Sequence, residues 1–261
     1  MAMEGDRWIN TYLWLVLLAG LVIFAVPFIA LLNKIDFSRM LTIMTYPPVK
    51  ASIMLSITTA VVATIIALLL GLGIAYILAF WEFPFKGAVD TFSTLPMVLP
   101  PSAAGYLLLL TFGRFGLLGQ PILEKFGITI LFSSYAIIIA QVFVITPFII
   151  TSTKSAFLDI NPNYIRAAST LGSDPLHILR EIILPLSSKG IIAGTIMAFA
   201  RAIGEFGASV MVAGLLQTMP IAIFNMTMGG SRDEANIIAF ILIVISFSIL
   251  FIFKHFIGER R

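Results

Sequence analysis

Long apolar runs separated by short polar segments make up most of this chain. Six of these runs are long enough for a helix that crosses a bilayer, which needs about 20 mostly apolar residues. The six runs cover residues 9–32, 51–80, 92–112, 129–157, 187–216 and 235–256. The pattern therefore predicts an all-α, polytopic membrane protein with six transmembrane helices.

Composition supports this interpretation. Of the 261 residues, 59% are hydrophobic and 11% are charged, whereas soluble domains average about 45–50% apolar and about 25% charged residues. We therefore expect residues 1–261 to form a single transmembrane domain. The formal net charge of +3 comes without a basic run, so nucleic acid is not an expected partner. The chain has no Cys, and its two His residues, His177 and His255, are far apart, so no metal site is expected.

The distribution of positive charge gives an orientation. Six spans place both termini on the same side of the membrane. If that side is the cytoplasm, the cytoplasmic segments carry more of the 16 Lys and Arg residues than the outer segments do, as the positive-inside rule requires. We therefore predict a multi-pass protein of the cell membrane with both termini in the cytoplasm. The first run is too long for the apolar region of a signal peptide and is expected to be retained.

The segment between the fourth and fifth runs, residues 158–186, concentrates charged residues, and we call it the polar loop. Asn161-Pro162 predicts a helix start, with Asn as the N-cap and Pro at the first helical position. Asp174-Pro175 repeats the same signal. We therefore expect two short helices on the aqueous side of the membrane.

The corner between these helices is also predicted. Gly172 suits the left-handed turn that ends many helices, and Pro185 predicts an end to the second helix. Ala167 and Ala168 are expected to leave a bare patch that another surface could approach closely. An ordinary helical loop that covers the end of the bundle is the alternative interpretation.

The spacing of the polar loop resembles the EAA loop of ABC-importer permeases, E-A-A-x3-G-x9-I-x-L-P. It matches at every position except the first, where arginine replaces glutamate. In that family the loop is a coupling helix that docks into a groove on a separate ATP-binding subunit. The candidate coupling residues are Arg166, Ala167, Ala168, Gly172, Ser173, Asp174, Pro175, Ile182, Leu184 and Pro185.

The same resemblance implies a division of labour between subunits. The chain has no G-x-x-x-x-G-K-[ST] phosphate loop, so we do not expect it to be an enzyme. ATP and Mg²⁺ would be bound by the partner ATPase, and this chain would bind no cofactor. The implied partners are two copies of the ATP-binding subunit, an extracytoplasmic substrate-binding protein and a second copy of this chain, all acting at the lipid bilayer.

Three further motifs narrow the resemblance. L-P-M-V-L-P-P at 95–101 resembles the third span of molybdate and tungstate permeases and their sulfate relatives, and F-A-R-A-I-G-E-F-G-A at 199–208 resembles their fifth span. Q-T-M-P-I-A-I at 217–223 is similar to an outer loop of the molybdate branch. The resemblance implies a prokaryotic importer of an oxyanion, with molybdate or tungstate first and sulfate or thiosulfate second.

Prolines and an ionisable pair mark the third and fifth runs. Pro100 and Pro101 disturb a helix, and the freed carbonyls in a membrane must face protein or a water-filled cavity. They predict either a packing kink or a bent helix along the pathway, with Ser102 and Thr111 as candidate wall residues.

Arg201 and Glu205 lie four residues apart and share a helix face. As partners they would tolerate the membrane interior, either as a structural pair or near a gate.

Small residues give the fifth run a surface that allows close helix packing, either with a second copy or within one chain. They are Gly194, Ala198, Ala200, Ala202, Gly204, Gly207 and Gly214.

Two other classes of protein compete with the importer. A secondary transporter would need ionisable residues along several spans, and an intramembrane enzyme would need clustered catalytic groups.

Overall fold

The computed structural model describes residues 7–258, with side chains from 9 to 252, and this part of the chain contains helices but no strand. The helices are α1 Arg7–Leu32, α2 Phe37–Thr45, α3 Pro47–Phe80, α4 Lys86–Thr94, α5 Pro101–Phe112, α6 Gly119–Phe126, α7 Ser134–Leu158, α8 Pro162–Thr170, α9 Pro175–Ile178, α10 Leu184–Ile203, α11 Gly207–Ala213, α12 Met219–Met228 and α13 Arg232–Gly258. A 3₁₀ turn, Leu95–Met97, follows α4, and a π turn, Leu179–Ile183, joins α9 to α10.

The described helices confirm the predicted class of fold. Five are long and apolar enough to cross a membrane, and a sixth span is formed if α4 and α5, which meet at 109°, count as one broken span. The third run therefore forms two helical segments that meet at a sharp bend, as the prolines predicted. The break falls at 98–100, directly before Pro101 at the start of α5.

The core is formed by α3, α7 and α10. Ala60, Ala63 and Ala67 of α3 are fully buried, and Gly71 lies against Ile149 of α7. Small side chains on one helix let the partner helix approach closely, which is how membrane helices gain packing energy. This packing fixes α7, the helix that leads into the polar loop.

The predicted fifth span, 187–216, is wrong in its extent. The helix ends at Ile203, and α11 begins after an interruption at 204–206. At the interruption the Glu205 carboxylate accepts a hydrogen bond from the Ala208 backbone N–H and so caps a new helix, while Gln141, 61 residues earlier in the chain, donates to the Ala202 carbonyl at the end of α10. The segment between the fifth and sixth predicted spans, 217–234, contains the short apolar helix α12.

Pro185 does not end the helix that it was expected to break. The helix from Pro175 runs continuously to Ile203 because it widens into the π turn directly before the proline. The Leu184 N–H donates to the carbonyl of Leu179, five residues earlier. The wider turn makes room for the proline ring, which in a regular α-helix clashes with the carbonyl four residues before it.

Glycines of the fifth run allow close packing between helices of the same chain. A Cβ at Gly194 would lie 2.8 Å from Ser152 Cβ and 3.3 Å from the Ile149 Cα, and one at Gly207 would overlap Pro101. Packing within one chain therefore explains these glycines. Contact with a second copy stays a prediction for the exposed remainder, such as Gly204.

Candidate functional site

The polar loop folds as the sequence predicts. Asn161 Oδ1 accepts a hydrogen bond from Asn163 N at 3.0 Å and caps α8. Asp174 Oδ1 accepts from His177 N at 2.7 Å and caps α9. Both caps precede a proline at the start of the helix, so the two predicted helix starts are confirmed.

The corner between α8 and α9 depends on a glycine. Gly172 has φ +83°, in the left-handed region where residues with a side chain are strained. Its N–H donates to the Ser169 carbonyl, and the Ser173 N–H donates to the Ala168 carbonyl, both at 3.1 Å. These bonds satisfy carbonyls that the end of α8 leaves free. The predicted turn at Gly172 is therefore confirmed.

The expected bare patch is only half correct. Ala167 and Arg166 are exposed, but Ala168 is buried. Ala168 packs in a small apolar cluster with Ala75, Phe157, Ile178 and Ile183. Ala168 therefore holds α8 against the bundle, and its neighbour Ala167 faces outward.

The remaining candidate coupling residues divide between the two faces of the loop. Asp174, Pro175 and Pro185 are exposed, whereas Ile182 and Leu184 are half-buried against the same apolar cluster. Regular helical spacing puts Leu176 on the same face as Leu179 and Ile183, yet Ile183 is buried and Leu176 is exposed. The π turn that follows α9 alters the spacing between α9 and α10, so a regular helical period does not describe this face.

Several large apolar side chains of the polar loop are exposed, among them three on or beside its two short helices. Tyr164 and Leu176 are more than half exposed, and Leu171 is 86% exposed. Exposed apolar side chains grouped on one polar segment are typical of an interface with another protein. The loop therefore has an outward face suited to a partner.

The ionisable pair of the fifth run lies at the interruption of that run. Arg201 Nη1 lies 2.5 Å from Glu205 Oε2, without an aligned N–H, so the contact is an ion pair. The Glu205 side chain is fully buried, and that of Arg201 is 34% exposed. The other carboxylate oxygen caps α11. The structure thus gives Glu205 a structural role, and Arg201 remains partly open to solvent.

The structure also brings the two interrupted spans together. Pro101 of α5 packs against Gly207 of α11, and a cavity of about 120 Å³ lies beside them. It is lined by Pro96, Met97, Leu99, Pro101, Ala104, Val144, Phe148 and Arg201. Pro100 and Ser102 are exposed at the same bend, whereas Thr111 is half-buried and bonds to its own helix at the Leu107 carbonyl. The third-run prolines and Arg201 therefore belong to one site.

Sequence analysis missed two polar contacts near this site. Gln141 of α7 is buried and donates to the Ala202 carbonyl at 3.1 Å, so it holds the end of α10. Lys154 of α7 lies 2.7 Å from Asp90 Oδ2 of α4. A lone amide or amine within an apolar run is costly in a membrane, and this signal could have identified both. Within the described residues no cluster of His, Asp and Glu could hold a metal ion.

The folded spans and their two-helix loop define a multi-pass helical membrane protein, and comparison with known proteins gives its family. Residues 71–261 match the family described as binding-protein-dependent transport system inner membrane component. The chain belongs to this family and is a multi-pass permease of the ABC importer class, not an enzyme in its own right. Membership favours the importer over the secondary transporter and the intramembrane enzyme.

Relatives by sequence are named as molybdenum or sulfate transport permeases. The molybdenum transport system permease protein ModB of Mycobacterium tuberculosis is 34% identical over 92% of this chain and 90% of its own length. The ModB protein of Escherichia coli K12 is 35% identical over 71% of this chain and 84% of its own. The sulfate transport system permease protein CysT of Salmonella typhimurium is 31% identical over 84% of this chain and 80% of its own length.

Solved structures confirm the fold. A bacterial ABC transporter that imports the acidic polysaccharide alginate matches with a TM-score of 0.73 and 16% identity, over 97% of this chain and 96% of that chain. The methionine ABC transporter MetNI matches with a TM-score of 0.65 and 15% identity, over 79% of this chain and 93% of that chain.

Proposed function

We propose that this chain is the membrane subunit of an importer for molybdate or tungstate. The observation that carries the proposal is the 34% identity to a molybdenum permease over 92% of the chain. Two copies of the chain would form the pathway, and two copies of an ATPase subunit would bind ATP and Mg²⁺ below it. Alternating access would follow from closure of the ATPases and the docking of a loaded substrate-binding protein on the opposite side.

The polar loop is the proposed contact with the ATPase. Its outward face carries Tyr164, Leu171 and Leu176, and burial of such apolar side chains is the main driving force for association. The corner at Gly172 fixes the angle between α8 and α9, so the loop can transmit force as a stiff unit. This assignment places the loop and both termini in the cytoplasm.

The site between the interrupted spans is the proposed pathway or gate. Arg201 lines the cavity together with Pro101, and an oxyanion passing the bend would meet a guanidinium already paired with Glu205. Such pairing weakens the hold on a passing anion, and a pathway needs binding weak enough for release. Selection would then occur in the substrate-binding protein. A complex of the alginate transporter with a periplasmic protein supports this kind of partner.

Sulfate or thiosulfate is the second candidate substrate, since CysT is 31% identical over 84% of this chain. Molybdate, tungstate and sulfate are all tetrahedral dianions, so the residues of the pathway do not separate them. Uptake assays in which each anion competes against labelled molybdate decide which of these anions is the substrate.

The proposal is tested in liposomes that contain this chain, its ATPase subunit and loaded substrate-binding protein. We expect molybdate to stimulate ATP hydrolysis and to accumulate inside. Gly172→Ala should uncouple the two activities, because a side chain at φ +83° strains the corner by roughly 1–2 kcal/mol. The matched control is Gly127→Ala, which carries the same strain at φ +67° in another loop.

The outcomes separate the parts of the proposal. Stimulation by sulfate instead of molybdate would transfer the assignment to the second substrate. Equal coupling in the Gly172→Ala and Gly127→Ala variants would contradict the role of the polar loop. Transport without ATP would contradict the importer mechanism.

A further inference from the structure

A partly buried ion pair joins two helices that are distant in sequence. Lys154 Nζ of α7 lies 2.7 Å from Asp90 Oδ2 of α4, and the two side chains are 24% and 37% exposed. Because water screens this pair less than a surface pair, its charges attract each other more strongly. The proposed function assigns no role to it.

The attachment of α4 makes this pair important. None of the residues of α4, Lys86–Thr94, is buried, and within the described chain the helix packs mainly against α7. Burial of apolar surface, which holds most helices in place, therefore contributes little here. The Asp90–Lys154 pair is a polar tie that fixes α4 to the bundle.

The same end of α7 is fixed to the helix that follows the polar loop. Ser152 Oγ donates to the Gly190 carbonyl at 2.8 Å, and Gly190 packs against Ala156. Lys154 lies between these two contacts in sequence, and α7 ends at Leu158, where the polar loop begins. Movement of the loop therefore reaches Lys154 through a short, well-packed stretch of helix.

On its other side, α4 leads directly to the proposed gate. The helix passes through the 3₁₀ turn Leu95–Met97 to the bend at 98–100. Pro96 and Met97 of that turn line the cavity that also contains Arg201. A shift of α4 would therefore change the bend and the shape of this cavity.

We propose that Asp90 and Lys154 are positioning residues that transmit movement of the polar loop to the bend of the third span. The proposal rests on the function proposed above, in which the loop receives the ATPase. Neither residue need touch the substrate. Their effect is on how much transport accompanies each ATP hydrolysed, because they join the element that the ATPase moves to the element that lines the pathway.

The test measures molybdate transported per ATP hydrolysed in liposomes that contain the full transporter. The variants are Asp90→Asn, Lys154→Gln, and the charge exchange Asp90→Lys with Lys154→Asp. The matched control is Glu82→Gln with Lys86→Gln, which removes a pair of similar length, 2.8 Å, within one local segment.

We expect each single variant to lower the ratio about fivefold, the change that roughly 1 kcal/mol of coupling free energy produces. The charge exchange should restore it to within about twofold of the wild type, because it rebuilds the attraction. The control should keep the wild-type ratio, since its pair joins no separate elements.

Each result has a distinct meaning. A wild-type transporter whose ATP hydrolysis responds to none of molybdate, tungstate and sulfate overturns the proposed function itself. A working wild type, with single variants at the ratio of the control, overturns the role of the pair. If a single variant fails to assemble, the charge exchange decides: the wild-type ratio supports the proposal, and a reduced ratio overturns it.

Discussion

Two glycines of α3 allow a sharp test of its packing against α7. A Cβ at Gly71 would lie 2.8 Å from Ile149 Cγ2 and 3.0 Å from Ile149 Cβ. Ile149 is fully buried and β-branched, so its side chain has little freedom to move aside. A Cβ at Gly73, two residues later on the same helix, would meet no described atom within 4 Å. Alanine at the two positions should therefore have opposite effects.

The magnitudes follow from these distances. Gly71→Ala adds a methyl group to a filled interface, and such overpacking costs about 1–3 kcal/mol of the free energy of unfolding. Gly73→Ala adds the same group in open space and gains the helix propensity of alanine, about 0.5–1 kcal/mol. The two variants have the same composition and carry the same substitution on the same helix. The difference between their stabilities therefore reports the α3–α7 contact.

The assay is the rate at which the purified transporter loses its monodisperse state on heating. This kinetic measure suits a membrane complex whose unfolding is irreversible. We expect Gly71→Ala to shorten the half-life and Gly73→Ala to preserve or lengthen it. Equal half-lives for the two variants would refute the close approach of α3 to Ile149 and the packing that fixes α7.

Two further predictions concern the interrupted helices. Pro185→Ala restores a backbone donor and should let the π turn at 179–183 revert to a regular helix, which rotates α9 relative to α10. The transporter should assemble normally but transport less molybdate per ATP, and an unchanged ratio would contradict a role for the turn. Glu205→Gln removes the charge that faces Arg201 and should lower the free energy of unfolding by about 1–3 kcal/mol. This is less than the about 3–5 kcal/mol for a fully buried pair, because Arg201 is 34% exposed. The half-life of the monodisperse transporter on heating reports the loss, and an unchanged half-life would show that Arg201 needs no partner.

Sequence patterns predicted the elements whose causes are local. The starts of α8 and α9 follow from Asn161 and Asp174, which cap the helix that each precedes. The turn at Gly172 follows from the one residue type that tolerates its backbone angle. The break of the third span follows from Pro100 and Pro101. In each case a few neighbouring residues determine the backbone, so no knowledge of tertiary contacts is needed.

The errors arose where a distant partner or a backbone adjustment decides the outcome. Pro185 was expected to end a helix, but the π turn before it absorbs the steric conflict. Ala168 was expected to be bare, yet residues from other helices, among them Phe157, cover it. The Asp90–Lys154 pair joins residues 64 positions apart, and hydropathy along the chain does not register a contact of that kind.

The interruptions of the third and fifth spans explain each other. A helix that stops inside a membrane leaves backbone groups to be satisfied by protein or water. At the fifth span Glu205 caps α11, and Gln141 together with the Glu205 backbone N–H bonds to the Ala202 carbonyl. Gly207 then has no side chain to keep Pro101 away. The two breaks can therefore lie in contact beside one cavity, and we expect a shift at either bend to displace the other, as the proposed gate requires.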